Sequence, residues 1–251
     1  MDSLIVSIIH RPYVFAFLAA YLFLAWRKWG RKRAIVWLVS GYFIAWASEY
    51  SSIHNGFPYG EYHYIYENMP GELMILGVPF FDSLSYPFLI FASYAMAEFI
   101  LKGSRGMGQG ARLLLGALLT MLLDVIVDPI ATMGDKWFLG QIHWYAHPGW
   151  YFGVPLSNFA GWLLVAFAVI AFNVILWRAF PFFFKERSDE GKFARTFEYI
   201  YPLFYISIAL FNIAITFWVG EWKLGIASSC VLALVFVGFF HFTKNPIKFL
   251  S

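Results

Sequence analysis

The chain has 251 residues, 61% hydrophobic, 22% aromatic and only 13% charged, with a mean hydropathy of +0.65 and a formal net charge of +3. Ordinary soluble domains carry about 25% charged residues. The composition therefore excludes a soluble domain and predicts one all-α, polytopic membrane domain over residues 1–251. No nucleic-acid motif is present, and the lone Cys230, read as a packing residue, excludes an intrachain disulfide.

At the N-terminus, Met1-Asp2-Ser3 lacks a basic start and Arg11-Pro12 interrupts the first apolar stretch, which argues against a cleaved signal peptide. Stretches able to cross about 30 Å of hydrocarbon as helices then occur seven times. They run over Pro12 to Trp29, Ala34 to Tyr50, Val78 to Leu101, Ala111 to Ile130, Val154 to Trp177, Tyr199 to Val219 and Leu224 to Phe242. Basic residues set their orientation. Arg27, Lys28, Arg31, Lys32 and Arg33 follow the first span, and Lys102, Arg105 and Arg112 separate the third from the fourth. Arg178, Lys185, Arg187, Lys192 and Arg195 follow the fifth, and Lys244 and Lys248 the seventh. Only Arg11, Lys136 and Lys223 fall on the other side, so 15 of 18 basic residues favour an N-out, C-in bundle of about seven helices.

Two long outer loops, Ser51 to Gly77 and Ala131 to Gly153, are rich in Gly, Pro, Tyr, Trp and His and read as lids or partly buried segments, or as an aromatic belt at headgroup depth. Each ends in Gly-Val-Pro: Gly77-Val78-Pro79-Phe80-Phe81-Asp82 aligns with Gly153-Val154-Pro155-Leu156-Ser157-Asn158. Glu49 precedes the first Gly by 28 residues and Asp124 precedes the second by 29. The pattern predicts a weak parallel repeat, an arrangement that often encloses a site at its interface.

The carboxylates carry the functional signal. Asp124 and Asp128 sit one turn apart in an otherwise apolar helix, where each costs about 2.5 to 3.5 kcal/mol to insert. On one helix face they repel, so one keeps a proton beside its ionised partner, an acid/base pair. The structural alternative is a carboxyl that bonds a neighbouring helix or the backbone freed by Pro129. The expected topology also puts Glu49, Asp82 and Asn158 in the outward halves of their spans. His54, His63, His143 and His147 share that side, but only His143 and His147 have a ligand-like spacing, and only if their loop is helical; no metal site is expected. Glu61, Glu67, Glu72 and Asp135 read as solvated loop charges, and Glu98 as a snorkelling residue near the inner end.

Several motifs together resemble a known family. They are Glu49, Gly56-Phe57-Pro58-Tyr59-Gly60-Glu61-Tyr62-His63-Tyr64, Gly77-Val78-Pro79, Asp124-x-x-x-Asp128-Pro129 and Tyr151-Phe152-Gly153-Val154-Pro155-Leu156-Ser157-Asn158-Phe159-x-Gly161-Trp162. Over roughly residues 40–240 the chain looks like the integral-membrane carotenoid hydratases of bacteria and archaea. That resemblance implies addition of water to the terminal double bond of an acyclic ψ end group, in substrates such as γ-carotene, lycopene or bisanhydrobacterioruberin, in a bacterial or archaeal inner membrane. It implies a lipophilic carotenoid substrate, membrane lipid and other enzymes of carotenoid biosynthesis as partners.

The chemistry needs a proton delivered to the less substituted alkene carbon, then water capture of the tertiary cation, and no cofactor. The residues expected to do this are Asp124 as proton donor, Asp128 as its coupled partner, and Glu49, Asp82 and Asn158 as water-positioning groups. Tyr59, Tyr62, His63 and Trp162 are expected to position substrate or water. A proton-initiated carotenoid cyclase and a non-catalytic isoprenoid carrier are the competing classes.

Overall fold

The computed structural model describes residues 2–102, 108–136, 140–184 and 198–244. Arg105, Lys185, Arg187, Lys192, Arg195 and Lys248 lie outside the described residues. Eight α-helices are described: α1 (Ser3–His10), α2 (Pro12–Trp29), α3 (Arg31–Asn55), α4 (Phe80–Ile100), α5 (Gln109–Ala131), α6 (Leu156–Ala179), α7 (Ile200–Trp218) and α8 (Trp222–Lys244). Each of the seven stretches read from hydropathy is helical. Among the described residues four helices, α4 to α7, are long and apolar enough to cross a membrane alone, and there are five if α1 and α2, a pair bent by 92°, count as one span. The difference from seven has a physical basis. α3 has 25 residues but starts on Arg31, Lys32 and Arg33 and carries Glu49, while the apolar part of α8, Trp222–Gly238, is short.

Local chemistry places the breaks. Pro12 opens α2, where its missing N–H is not needed. Gly56 ends α3 with φ 79° and ψ −6°, its N–H donating to the Ser52 carbonyl, a left-handed cap that suits glycine. α4 is central, packing against α2, α3, α5, α6, α7 and α8, and it is buried over most of its length. The carbonyl of its Pro87 accepts from Trp37 Nε1 at 2.9 Å, and Gly41 of α3 lies against the same proline.

Two sequence readings are corrected here. Glu72 is not a solvated loop charge: its side chain is fully buried, accepting from Arg11 Nε at 3.2 Å and Arg11 Nη2 at 3.0 Å. A guanidinium pairs with a carboxylate in this two-pronged way, so each offsets part of the cost of burying the other. Cys230, read as packing, is exposed on α8. Glu98 is an ion-pair partner, 3.1 Å from Lys28.

Candidate active site

Glu49, near the C-terminal end of α3, is 5% exposed. Its carboxylate accepts from the hydroxyls of Tyr62 and Tyr86, and from Tyr64 at 3.0 Å. Tyr64 also lies 2.5 Å from Oδ2 of Asp82, the third residue of α4. On the other side, Asn158, the third residue of α6, donates through Nδ2 to Asp124 at 2.7 Å and to Asp128 at 3.3 Å. Asp128 further accepts from Tyr145 at 2.8 Å and faces His143 Nε2 at 3.4 Å. Asp128 therefore bonds side chains rather than the backbone that Pro129 frees.

Tyr62, Tyr64, His143 and Tyr145 come from the two long loops. Strand β1 (Tyr62–Tyr64) pairs antiparallel with β4 (His143–Tyr145), matching Tyr62 with Tyr145, His63 with Trp144 and Tyr64 with His143. The short strands β2 (Met74–Ile75) and β3 (Val78–Pro79) pair separately. Side chains alternate across a strand. Tyr62, Tyr64, His143 and Tyr145 therefore point down onto the carboxylates, while His63 and Trp144 stack outside with ring centroids 4.8 Å apart.

Burial pushes the His143 imidazole down, but its hydrogen bond to Asp128 and the charges of Asp128 and Asp82 outweigh this and hold it above its ordinary value. Burial, then the charge of Asp128, pushes the Tyr145 phenol well up, so it remains a donor.

Between these groups lies a cavity of about 40 Å³, whose lining includes Glu49, Asp82 and Asp128 with Tyr62, His143, Tyr145 and Asn158. Tyr59, Tyr86 and Trp162 complete the wall, and the Tyr86 and Trp162 rings stack 4.0 Å apart at 3°. One water needs about 10–15 Å³ on this measure, so the space suits a water or two. Tyr59 is locked by Ser48 at 2.8 Å and by α6, where a Cβ on Gly161 would fall 2.5 Å from the Tyr59 ring.

The structure thus brings together Glu49, Asp82, Asp128, Asn158, Tyr59, Tyr62 and Trp162. It keeps two expected residues out of the cavity. Asp124 is buried behind Asn158 and does not line it, and His63 points to the outer face, 3.6 Å from Glu61. Sequence reasoning missed Tyr64, Tyr86, His143 and Tyr145 as site residues. The alternating triplets Tyr62-His63-Tyr64 and His143-Trp144-Tyr145 held the signal for three of them. His143 lies in a strand and His147 is exposed in the segment after it, so the helical His143/His147 pair does not form.

The sequence model of one family, described as carotenoid biosynthesis protein, matches residues 10–238. The bisanhydrobacterioruberin hydratase of Haloarcula japonica is 33% identical over 144 residues, which is 57% of this chain and 45% of that relative. The match thus spans less than half the length of that protein. No solved structure matches the chain.

Proposed function

The chain belongs to the carotenoid biosynthesis protein family, and from that premise we propose that it hydrates the terminal double bond of an acyclic ψ carotenoid end group. The observation that carries this reading is the water-sized cavity walled by three carboxyls and stacked aromatic rings. A cyclase would have to exclude water from its cation, whereas this space is polar and suits one. The chain end enters only as the wall side chains move apart, because about 40 Å³ does not hold an isoprenoid terminus.

The hydrogen bonds distribute the roles. A phenol has one proton to give, yet Tyr64 touches both Glu49 and Asp82. One of those contacts needs a proton held on a carboxyl. Glu49 already accepts from Tyr62 and Tyr86, which leaves Asp82 to carry that proton and deliver it to the less substituted alkene carbon.

The π electrons of the double bond form the new C–H bond, and the tertiary cation left behind lies against the Tyr86 and Trp162 faces and the Glu49 carboxylate. Water adds through oxygen, and Asp128, which accepts from Tyr145 and Asn158 and faces His143, takes the released proton. Reprotonation of Asp82 closes the cycle. Asp124, first choice from the sequence, acts behind Asn158 by fixing that donor. The reading includes a seven-helix bundle, N-out and C-in, in the inner membrane of a bacterium or archaeon, with other carotenoid-biosynthesis enzymes as partners.

The test is expression in a bacterium that accumulates lycopene or γ-carotene, with pigments separated by chromatography and weighed. The expected product is a carotenoid heavier by one water, lost in Asp82→Asn and Asp128→Asn and retained at reduced yield in Asp124→Asn. A product of unchanged mass but altered retention would convert the assignment to a cyclase. Loss confined to Asp124→Asn would return the donor role to that residue.

A further inference from the structure

At the opposite end of the bundle, about 24 Å from Glu49 along the 16 residues of α3 to Arg33, lies a second and larger cavity. Its volume is about 780 Å³, within the range of roughly 300–1,000 Å³ typical of sites for molecules larger than a simple ion. Lys28, Arg33, Arg112 and Arg178 line it, and among the described residues the one carboxylate on its wall, Glu98, pairs with Lys28. Arg33 donates to the Phe184 carbonyl at 2.7 Å and lies over the Trp177 ring at 5.0 Å.

Two donors there have no hydrogen-bond partner among the described residues: Nε of Arg112 and Nε1 of Trp177. Trp177 is only 9% exposed, so a missing partner there has a cost. Positive-inside charge alone explains surface lysines and arginines. It does not explain an indole N–H and a guanidinium N–H buried against an open basic cavity.

We propose that this cavity binds the phosphate of an anionic membrane phospholipid. Guanidinium groups match phosphate oxygens in geometry as well as charge, and aromatic walls at the end of a membrane bundle suit the glycerol and upper acyl carbons. Basic pockets between membrane helices are known to take such headgroups. The cavity is larger than inorganic phosphate requires. The site is independent of the carboxylate cavity and of the reaction assigned to it.

The test uses the full chain purified in neutral detergent, with binding read by native mass spectrometry and by thermal unfolding. Phosphatidylglycerol, phosphatidylcholine and inorganic phosphate are the three probes. Phosphatidylglycerol is expected to bind one to one, at least about tenfold more tightly than phosphatidylcholine, and to weaken about tenfold in Arg112→Gln and Arg178→Gln. Trp177→Phe, which keeps the ring and removes the N–H, is expected to weaken it about threefold. Arg31→Gln, an exposed cation over Trp26 outside the cavity, should leave binding unchanged.

Equal weakening in Arg31→Gln, or equal affinity for the two lipids, would overturn the proposal. Saturation by inorganic phosphate at the lipid's own concentration would assign the site to a free anion and overturn the lipid. Should Arg112→Gln fail to fold, the exposed Arg178 and the conservative Trp177 variant decide the question.

Discussion

The two turns that lead into α4 and α6 share a backbone and differ in what they deliver. Leu76 and Gly77 have φ of 51° and 83°; Phe152 and Gly153 have 49° and 87°. In each turn the flanking residues bridge, Ile75 to Val78 and Tyr151 to Val154, and a fully buried valine precedes a proline that opens the helix. The third helical residue then points at the buried carboxylates, Asp82 in one case and Asn158 in the other. The same device aims an acid from one side and an amide from the other. Asp82 brings a group able to hold and release a proton, whereas Asn158 brings a fixed donor that lets Asp124 and Asp128 sit close together. Geometry is common to the two turns, and the chemistry comes from the difference between an acid and an amide at the third helical position.

Making the halves alike should break this division. Asp82→Asn, which copies the second half into the first, is expected to lower hydration by about 10²- to 10⁴-fold, the usual share of a general acid, in a protein that still folds; product yield at fixed expression measures it. The reverse copy, Asn158→Asp, removes the donor and sets a third carboxyl beside two others. A loss of about 3 to 5 kcal/mol is expected, as when a buried charge loses its partner, read from thermal unfolding in detergent.

Gly161→Ala tests the wall both halves share. Its Cβ would meet the Tyr59 ring at 2.5 Å and the Pro58 carbonyl at 2.9 Å, so overpacking should cost about 1 to 3 kcal/mol.

The turns themselves separate backbone strain from packing. Leu76 is 69% exposed, so Leu76→Asn should relieve its left-handed φ and raise stability by up to about 1 kcal/mol. Phe152 has the same φ but packs on the small cluster of Ile130 and Leu224, and Phe152→Asn should show no gain. A gain of equal size at both positions would mean that packing does not distinguish the turns.

The smallest effect is a pH dependence. His143 is held above its ordinary value in the folded chain. Its contribution to stability is therefore complete below about pH 6.5, the ordinary histidine value, and is lost as pH rises through the folded value. The stability gap between wild type and His143→Gln should close on that rise, and a gap that widens with pH would contradict the pairing with Asp128.

Much of this was legible in the sequence, for identifiable reasons. The span Pro12 to Trp29 coincides with α2 because a proline and a glycine punctuate it. Glu49, Asp82, Asp128 and Asn158 were legible because polar groups in apolar helices stand out. The β1–β4 ladder was not, since three-residue strands are too short to show a period and their partners lie about 80 residues apart. Without that ladder nothing distinguished Tyr62, which points in, from His63, which points out. The burial of Glu72 depended on Arg11, 61 residues away, a pairing no local pattern announces. That Asp124 lies behind Asn158 and off the cavity wall was not legible, because hydropathy reports depth in an apolar segment and not which side of a neighbouring asparagine a carboxyl occupies.

The bend between α1 and α2 gives the molecule a depth gauge. At 92° to α2, α1 exposes Leu4, Ile5, Ile8 and Ile9 and is tied to the first outer loop by the Arg11–Glu72 pair and by Ser7, which accepts from the Leu73 amide at 2.9 Å. A short helix with such an exposed apolar face suits a bilayer surface. The loop it grips continues into β2, β3 and the start of α4, so α1 is tied to the segment that carries Asp82 through contacts that involve none of the carboxylates lining the cavity. On the proposed reading, in which Asp82 delivers the proton, a polyene lying along the lipid tails would meet that acid at one distance from its buried end, and shortening or polarising α1 would change which bond arrives there.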